Sequence, residues 1–282
     1  MEPGSKTTRW FNSSEGSPLS TATPIPVRSP LTSALAGATA VLIGGSSGIG
    51  LAAGVLLRSV GARVVLVGRD PDRLAAAVSR VRSAGPDRDA DDAVLAVAGD
   101  GGDERVLAEA FDRAGQVDHV YVTAGGVGGT GPVTELSVDR IRTSFDSRLG
   151  AAFTAARTAA TRLPAGGSLT FSSGILVVRP APGMSAPLSV AGAVETLTTA
   201  LAVELAPARL RVNAIRYGRI DTPLLRSVPG HDTDDAIAAA GSTTPLGRVG
   251  TAEEAAATAL FLMANNYVTG QIITIDGGET LT

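Results

Sequence analysis

From about residue 36 the chain alternates between two hydrophobic periods. Short, β-branched apolar runs occur at Thr39–Ile43, Arg63–Val67, Val94–Val97, His119–Thr123, Ser168–Phe171, Arg211–Ile215 and Ile272–Ile275. Runs this short, apolar at successive positions, predict strands covered on both faces. Between them lie longer Ala- and Leu-rich stretches with helical spacing, near 48–59, 71–84, 103–114, 137–163, 188–206 and 251–264. Such alternation predicts a parallel sheet with helical crossovers. The expected fold class is α/β: a single Rossmann domain, doubly wound, with a seven-stranded parallel sheet and helices on both faces. Residues 223–247 break the rhythm, with Pro, Asp and Thr around an Ala run. A lid over the strand ends is expected there. In an open sheet of this kind, ligands bind beyond the carboxyl ends of the strands, where strand order reverses.

Composition narrows the picture. Residues 1–30 are rich in Ser, Thr, Gly and Pro and contain no apolar h-region. They bury too little apolar surface to offset their ordering entropy. A flexible tail is expected over 1–35, and the domain over 36–282. No uninterrupted apolar run approaches the ~20 residues that cross a bilayer, so no membrane partner and a cytoplasmic location are expected. With a net charge of −3 and no Lys/Arg block, nucleic acid is not an expected partner. The absence of Cys excludes disulfides, thiolate catalysis and Cys-ligated zinc in this chain. Its two His residues lie far apart in sequence, so no metal site is expected. The sole lysine, Lys6, falls in the tail.

The first strand runs into Gly44-Gly45-Ser46-Ser47-Gly48-Ile49-Gly50 and then a helix. Glycines at this spacing permit a tight turn and let the backbone approach a pyrophosphate. The following helix offers free N–H groups and a positive dipole end to the phosphates. After the second strand the chain reads Val67-Gly68-Arg69-Asp70. NAD sites place an acid at the end of this strand for the ribose 2′-hydroxyl. Gly68 stands there instead, and the guanidinium of Arg69 suits a 2′-phosphate. NADP(H) is therefore the expected cofactor, with Asp70 keeping NAD as the alternative.

These residues, with others downstream, resemble the short-chain dehydrogenase/reductase superfamily over nearly all of 36–280. The markers are GGSSGIG at 44–50, Asp100, Thr-Ala-Gly at 123–125, Ser172-Ser173, Arg-Val-Asn at 211–213, Asp-Thr-Pro at 221–223, Val-Thr-Gly at 268–270 and Asp-Gly-Gly at 276–278. The resemblance implies that Asp100 touches the adenine and that Ala124 and Gly125 line its ribose, Thr123 replacing the usual Asn. It also implies that Ile220 and Thr222 hold the carboxamide and phosphates, and that Ser173 faces a substrate oxygen.

The family's Tyr-x-x-x-Lys is missing. Alignment puts Pro187 at the Tyr position and Ala191 at the Lys position, and residues 174–210 contain neither Tyr nor Lys. Arg148 aligns with the family's active-site Asn, a fixed cation able to polarise a carbonyl or stabilise a developing anion. Its bland alternative is a surface ion pair with Asp146. A stiff loop, Arg179-Pro180-Ala181-Pro182-Gly183-Met184, follows Ser173 and is expected over the nicotinamide. The combination is similar to an atypical branch that includes fungal bifunctional reductase/Diels–Alderases, whose loop carries an Asp and a Trp where this chain has Ala181 and Met184. Tyr217 is a candidate substitute acid, with His231 and Asp221 as further candidates. The expected catalytic set is thus Ser173, Arg148 and Tyr217. The cofactor set is Gly44, Ser46, Ser47, Gly48, Ile49, Gly50, Arg69, Asp100, Ala124, Gly125, Ile220 and Thr222.

A site without the Tyr/Lys pair suits a pre-activated C=N, C=C or C=O bond in a small, secondary-metabolite-like molecule, with or without coupled ring formation. Two alternatives stay open: a non-redox cyclase or isomerase that keeps NADP as a structural element, and a catalytically silent NADP-binding scaffold. The resemblance further implies a homodimer or homotetramer.

Overall fold

The computed structural model describes residues 30–86, 91–126 and 128–282. Of the tail expected over 1–35, residues 1–29 lie outside them. Among the described residues nine strands form: β1 (Thr39–Ile43), β2 (Arg63–Gly68), β3 (Val94–Ala98), β4 (His119–Val122), β5 (Ser168–Gly174), β6 (Arg211–Tyr217), β7 (Ile220–Asp221), β8 (Gly250–Thr251) and β9 (Ile272–Ile275). The helices are α1 (Gly48–Ser59), α2 (Pro71–Ser83), α3 (Glu104–Ala114), α4 (Val138–Phe145), α5 (Ala151–Arg162), α6 (Ser185–Glu204), α7 (Pro223–Arg226), α8 (Asp234–Gly241) and α9 (Ala252–Ala264). Seven strands make one parallel sheet in the order β3-β2-β1-β4-β5-β6-β9, and β7 pairs with β8 in a small second sheet. Strand order reverses between β1 and β4, which places the ligand crevice at their carboxyl ends.

The period of two along each strand sorts the core into two layers. Ala40 and Leu42 of β1 pack with α1, α2 and α9, alongside Leu57, Leu74 and Leu260. Val41 and Ile43 pack on the other face with α3, α5 and α6, alongside Phe111, Ala155 and Val194. Small residues on α5 and α9 let these helices approach the sheet closely.

Three features depart from the sequence expectation. The folded chain begins before residue 36: Thr32–Leu35 form a 3-10 turn, and Leu35 is buried against the α9 layer. The single helix expected over 137–163 is α4 and α5 joined by a π-helical turn at Asp146–Gly150. Finally, α6 is long and apolar enough to cross a membrane by length and composition, although no uninterrupted run announced it. It lies in the fold against β5 and β6, with 56% of its most apolar window buried.

Residues 223–247 carry α7 and α8 and are pinned at several points. Arg226 forks onto Asp221 at 2.6 and 2.8 Å and reaches Asp234 at 2.9 Å. Arg219 donates to the Ala240 carbonyl at 2.7 Å and to Thr243 at 2.9 Å.

Candidate active site

The glycine turn is built for close approach. Gly44 has φ +93° and Gly48 φ +52°, conformations that favour glycine. A Cβ on Gly50 would lie 2.4 Å from the Gly44 carbonyl, and one on Gly44 would lie 2.6 Å from Thr123 Oγ1. Thr123 stands where the family carries Asn, and its hydroxyl bridges the carbonyls of Ile43 and Gly44, each at 3.2 Å. It fastens the turn to the end of β4. Ser47 is the N-cap of α1 without a side-chain cap bond. The first-turn N–H groups of a helix have no partner within it and suit an anion. Ile49 packs against the α1-side core.

A groove of about 670 Å³ opens beside this turn, lined by Ser46, Ser47, Gly48, Arg73, Asp221 and Pro223 among others. Thr222 lies beside the turn: a Cβ on Gly48 would meet the Thr222 side chain at 3.5 Å. Thr222 caps α7 and donates to the Ile220 carbonyl at 3.2 Å. The Ile220 side chain is core, so only its backbone can face a ligand.

At the end of β2, a Cβ on Gly68 would lie 2.9 Å from Ser46 Oγ. A carboxylate side chain at 68 would therefore displace Ser46. Asp70 is committed elsewhere, capping α2 through the backbone N–H groups of Asp72 at 3.1 Å and Arg73 at 3.0 Å. Those backbone hydrogen bonds, led by that from Arg73, hold its pKa below the usual carboxylate value. Arg69 is exposed, with no ion-pair or hydrogen-bond partner among the described residues. Asp100 is exposed beyond β3 and accepts from the Gly102 N–H at 2.8 Å.

Arg148 sits in the middle of the π turn. Widened turns of this kind recur at functional sites because they re-aim one side chain. Its guanidinium packs on Gly125, which has φ +137° and whose Cβ would lie 2.8 Å from Arg148 Nε. Its one hydrogen bond among the described residues is a long one to the Gly125 carbonyl, 3.4 Å. The ion pair with Asp146 does not form, and no carboxylate lies within pairing distance among the described residues. Burial lowers the Arg148 pKa, though an arginine remains charged at neutral pH. The side chain lines a small cavity with Ala124, Ser172, Phe171 and Val194, at the carboxyl ends of β4 and β5.

Two expectations about catalytic residues are corrected. Tyr217 lies on the face of β6 that packs against α9, opposite the α6 side. It is buried, and its hydroxyl is 2.5 Å from that of Tyr121. Burial raises both pKa values, that of Tyr121 to about 12, so neither serves as an acid at the cleft. Ser173 is on the correct face but its hydroxyl is not turned to an incoming oxygen. It donates to Glu195 Oε1 at 2.7 Å. Glu195 in turn receives Arg216 Nε at 2.9 Å and Nη2 at 2.5 Å. Pro187 and Ala191, at the family's Tyr and Lys positions, are buried on α6.

Sequence reasoning missed the Glu195–Arg216 pair. The signal was present: Glu195 is the sole charge between Ser185 and Val203, and Arg216 interrupts a strand. Neither could be matched to the other without the strand register, which sets Ser173 beside Arg216. Two loops meet above α6, where the Gly131 N–H donates to the Gly183 carbonyl at 2.8 Å. His231, in the lid region, has a buried Nδ1 without a hydrogen-bond partner.

Comparison with known proteins agrees with this fold. A sequence profile described as Enoyl-(Acyl carrier protein) reductase matches residues 43–280. The short-chain dehydrogenase/reductase malC of Malbranchea aurantiaca is 31% identical over 260 residues, which cover 88% of this chain and 96% of that protein. The solved structure of MalC, a reductase/Diels–Alderase, superposes with a TM-score of 0.80 at 29% identity, covering 88% of this chain and 98% of that one. The cis-4-hydroxycyclohexanecarboxylate dehydrogenase of Sinomonas cyclohexanicum is 33% identical over 258 residues, 88% of this chain and 98% of that protein. A small-chain dehydrogenase solved with NADPH gives a TM-score of 0.71 at 31% identity, covering 87% of this chain and 100% of that one.

Proposed function

The chain belongs to the short-chain dehydrogenase/reductase superfamily, and from that premise we propose that it is an NADP(H)-dependent reductase of an activated double bond that works without a Tyr/Lys pair. Arg148 carries the reading: a charged side chain, partly buried, packed on Gly125 at the carboxyl end of β4, with no carboxylate in pairing distance among the described residues. A guanidinium in that state has no structural debt to a partner and can face charge that develops during reaction. Support for the phosphorylated cofactor comes from Gly68, Ser46 and Arg69, which leave no room for an acid and offer a cation in its place.

Gly44 to Gly50 and the first turn of α1 would hold the pyrophosphate, Thr222 its nicotinamide side, and Arg69 the 2′-phosphate. The bound nicotinamide supplies the hydride. Arg148 orients the acceptor and stabilises negative charge as it forms on an enolate or related group. No buried phenol stands at the cleft, which favours substrates already activated as an imine or enone over simple ketones.

The test is a fluorescence titration with NADPH, followed by absorbance assays on a panel of cyclic imines and enones. Arg148→Ala is expected to lower kcat/KM by about 10²-fold or more, on the scale of a lost oxyanion donor. Its NADPH affinity should stay within about threefold of wild type. Product formed without consumption of NADPH would point instead to a cyclase or isomerase.

A further inference from the structure

We propose that Glu195 is a positioning residue that reverses the hydrogen-bond polarity of Ser173, so that the site accepts a hydrogen-bond donor from its substrate at that point. The inference deepens the reading above and rests on it only for the location of the substrate.

Ser173 and Arg216 are register partners on β5 and β6 and face the α6 layer together. Glu195 comes down onto both from α6, four residues after Ala191 and eight after Pro187. It therefore lies on the same helix stripe as the two positions where relatives carry Lys and Tyr. The charge on that stripe is thereby inverted. Glu195 is 9% exposed and Ser173 6%. A buried carboxylate needs its lone pairs occupied, and here Arg216 fills two and Ser173 a third. Arg216 is itself braced by Thr274 Oγ1 at 3.3 Å.

A serine hydroxyl has one proton and two lone pairs. Once that proton is held by an ionised carboxylate, a charge-assisted bond, Ser173 can only accept. It cannot donate to a carbonyl oxygen or an alkoxide. A substrate atom at Ser173 must carry hydrogen: an amide or amine N–H, or a hydroxyl. Arg148, which can only donate, makes the opposite demand. A lactam or vinylogous amide meets both demands, its N–H serving Ser173 and its carbonyl serving Arg148.

Ligand-observed NMR with two isosteric probes reads this directly. 2-Piperidone and δ-valerolactone present the same carbonyl and differ in an N–H against a ring oxygen. Wild type is expected to bind the lactam about tenfold more tightly, the scale of one good hydrogen bond against an unsatisfied contact. Ser173→Ala should bring the ratio close to one. So should Glu195→Gln, whose amide can donate to Ser173, and the double variant Glu195→Leu/Arg216→Leu, which removes both buried charges and keeps the fold accessible should the single variant not fold. A purely structural Glu195 would alter stability without moving the ratio. Equal binding of the two probes, binding of neither, or a preference that survives the Glu195 changes overturns the proposal. The probes are also titrated without cofactor. Failure of NADPH to bind would defeat the redox reading alone, since the lactam-to-lactone ratio is measured independently of it.

Discussion

Arg69 follows β2 with an exposed guanidinium, next to Gly68, where a carboxylate side chain would collide with Ser46. A 2′-phosphate there would gain charge-assisted bonds worth about 1.5–3 kcal/mol, or roughly 10- to 100-fold in affinity. Arg69→Ala is accordingly expected to weaken NADPH by about that factor and NADH by less than about twofold in calorimetric titration. Equal losses for both would show that Arg69 serves only the start of α2. At this scale the sequence was most legible where backbone demands a residue type. Gly44, Gly48 and Gly50 need their missing Cβ atoms, and that need is visible as spacing. Side-chain orientation was not visible. Tyr217 was a chemically reasonable acid, but a strand sends alternate residues to opposite faces, and the parity of β6 sends this one to α9. Ser173 had the right parity, and its hydroxyl direction was decided by a glutamate on a different element.

Two interactions at the ends of α9 show how elements are fixed here. At its carboxyl end, Arg211 donates to the carbonyls of Leu262 at 2.6 Å and Met263 at 2.9 Å, a cation on the negative end of the helix dipole. Burial lowers its pKa to about 10, which leaves it charged at neutral pH. Arg211→Met should cost about 1–3 kcal/mol in urea unfolding, because buried carbonyls lose their donor. At the amino end, Thr251 and Glu254 form a capping box, and Arg248 pairs with the same glutamate at 2.6 Å. The Arg248 hydrogen bond, then that from the Thr251 backbone, lowers the Glu254 pKa from 4.5 to about 2. A carboxyl depressed in the folded state stabilises above its unfolded value and loses that contribution as pH falls through the folded value. Glu254 is about half exposed, so solvent screening limits the gain to about 1 kcal/mol or less. Glu254→Gln keeps the box geometry and removes the charge. Its melting temperature should fall about 2–4 °C below wild type at pH 7, and the gap should close between about pH 4.5 and pH 2. Both ends of α9 fall within a residue of the helical spacing read over 251–264. The π turn within 137–163 was not legible, because a continuous apolar period looks the same whether or not one turn widens.

The main sheet was readable from rhythm alone because its inner strands are buried on both faces and each crossover carries a helix. That pattern admits few sheet orders once right-handed connections are required. It says little about what lies outside the sheet, and the helical surfaces carry the remaining question. Phe153 on α5 is 47% exposed and Val203 on α6 78%, on Ala-rich helices whose only charges are Arg157 and Arg162 on α5 and Glu195 and Glu204 on α6. Large apolar side chains in that setting are characteristic of surfaces that pair with a like surface. A two-fold arrangement would lay these helices against their own copies, their small residues allowing close approach. Light scattering at tens of micromolar is expected to give a dimer or tetramer for the wild type. Phe153→Glu/Val203→Glu should shift it to monomer with an unchanged circular dichroism spectrum, since burying a like-charged pair across a two-fold axis costs several kcal/mol. A wild type that is already monomeric, or a double variant that keeps its mass, would assign these side chains to no self-contact.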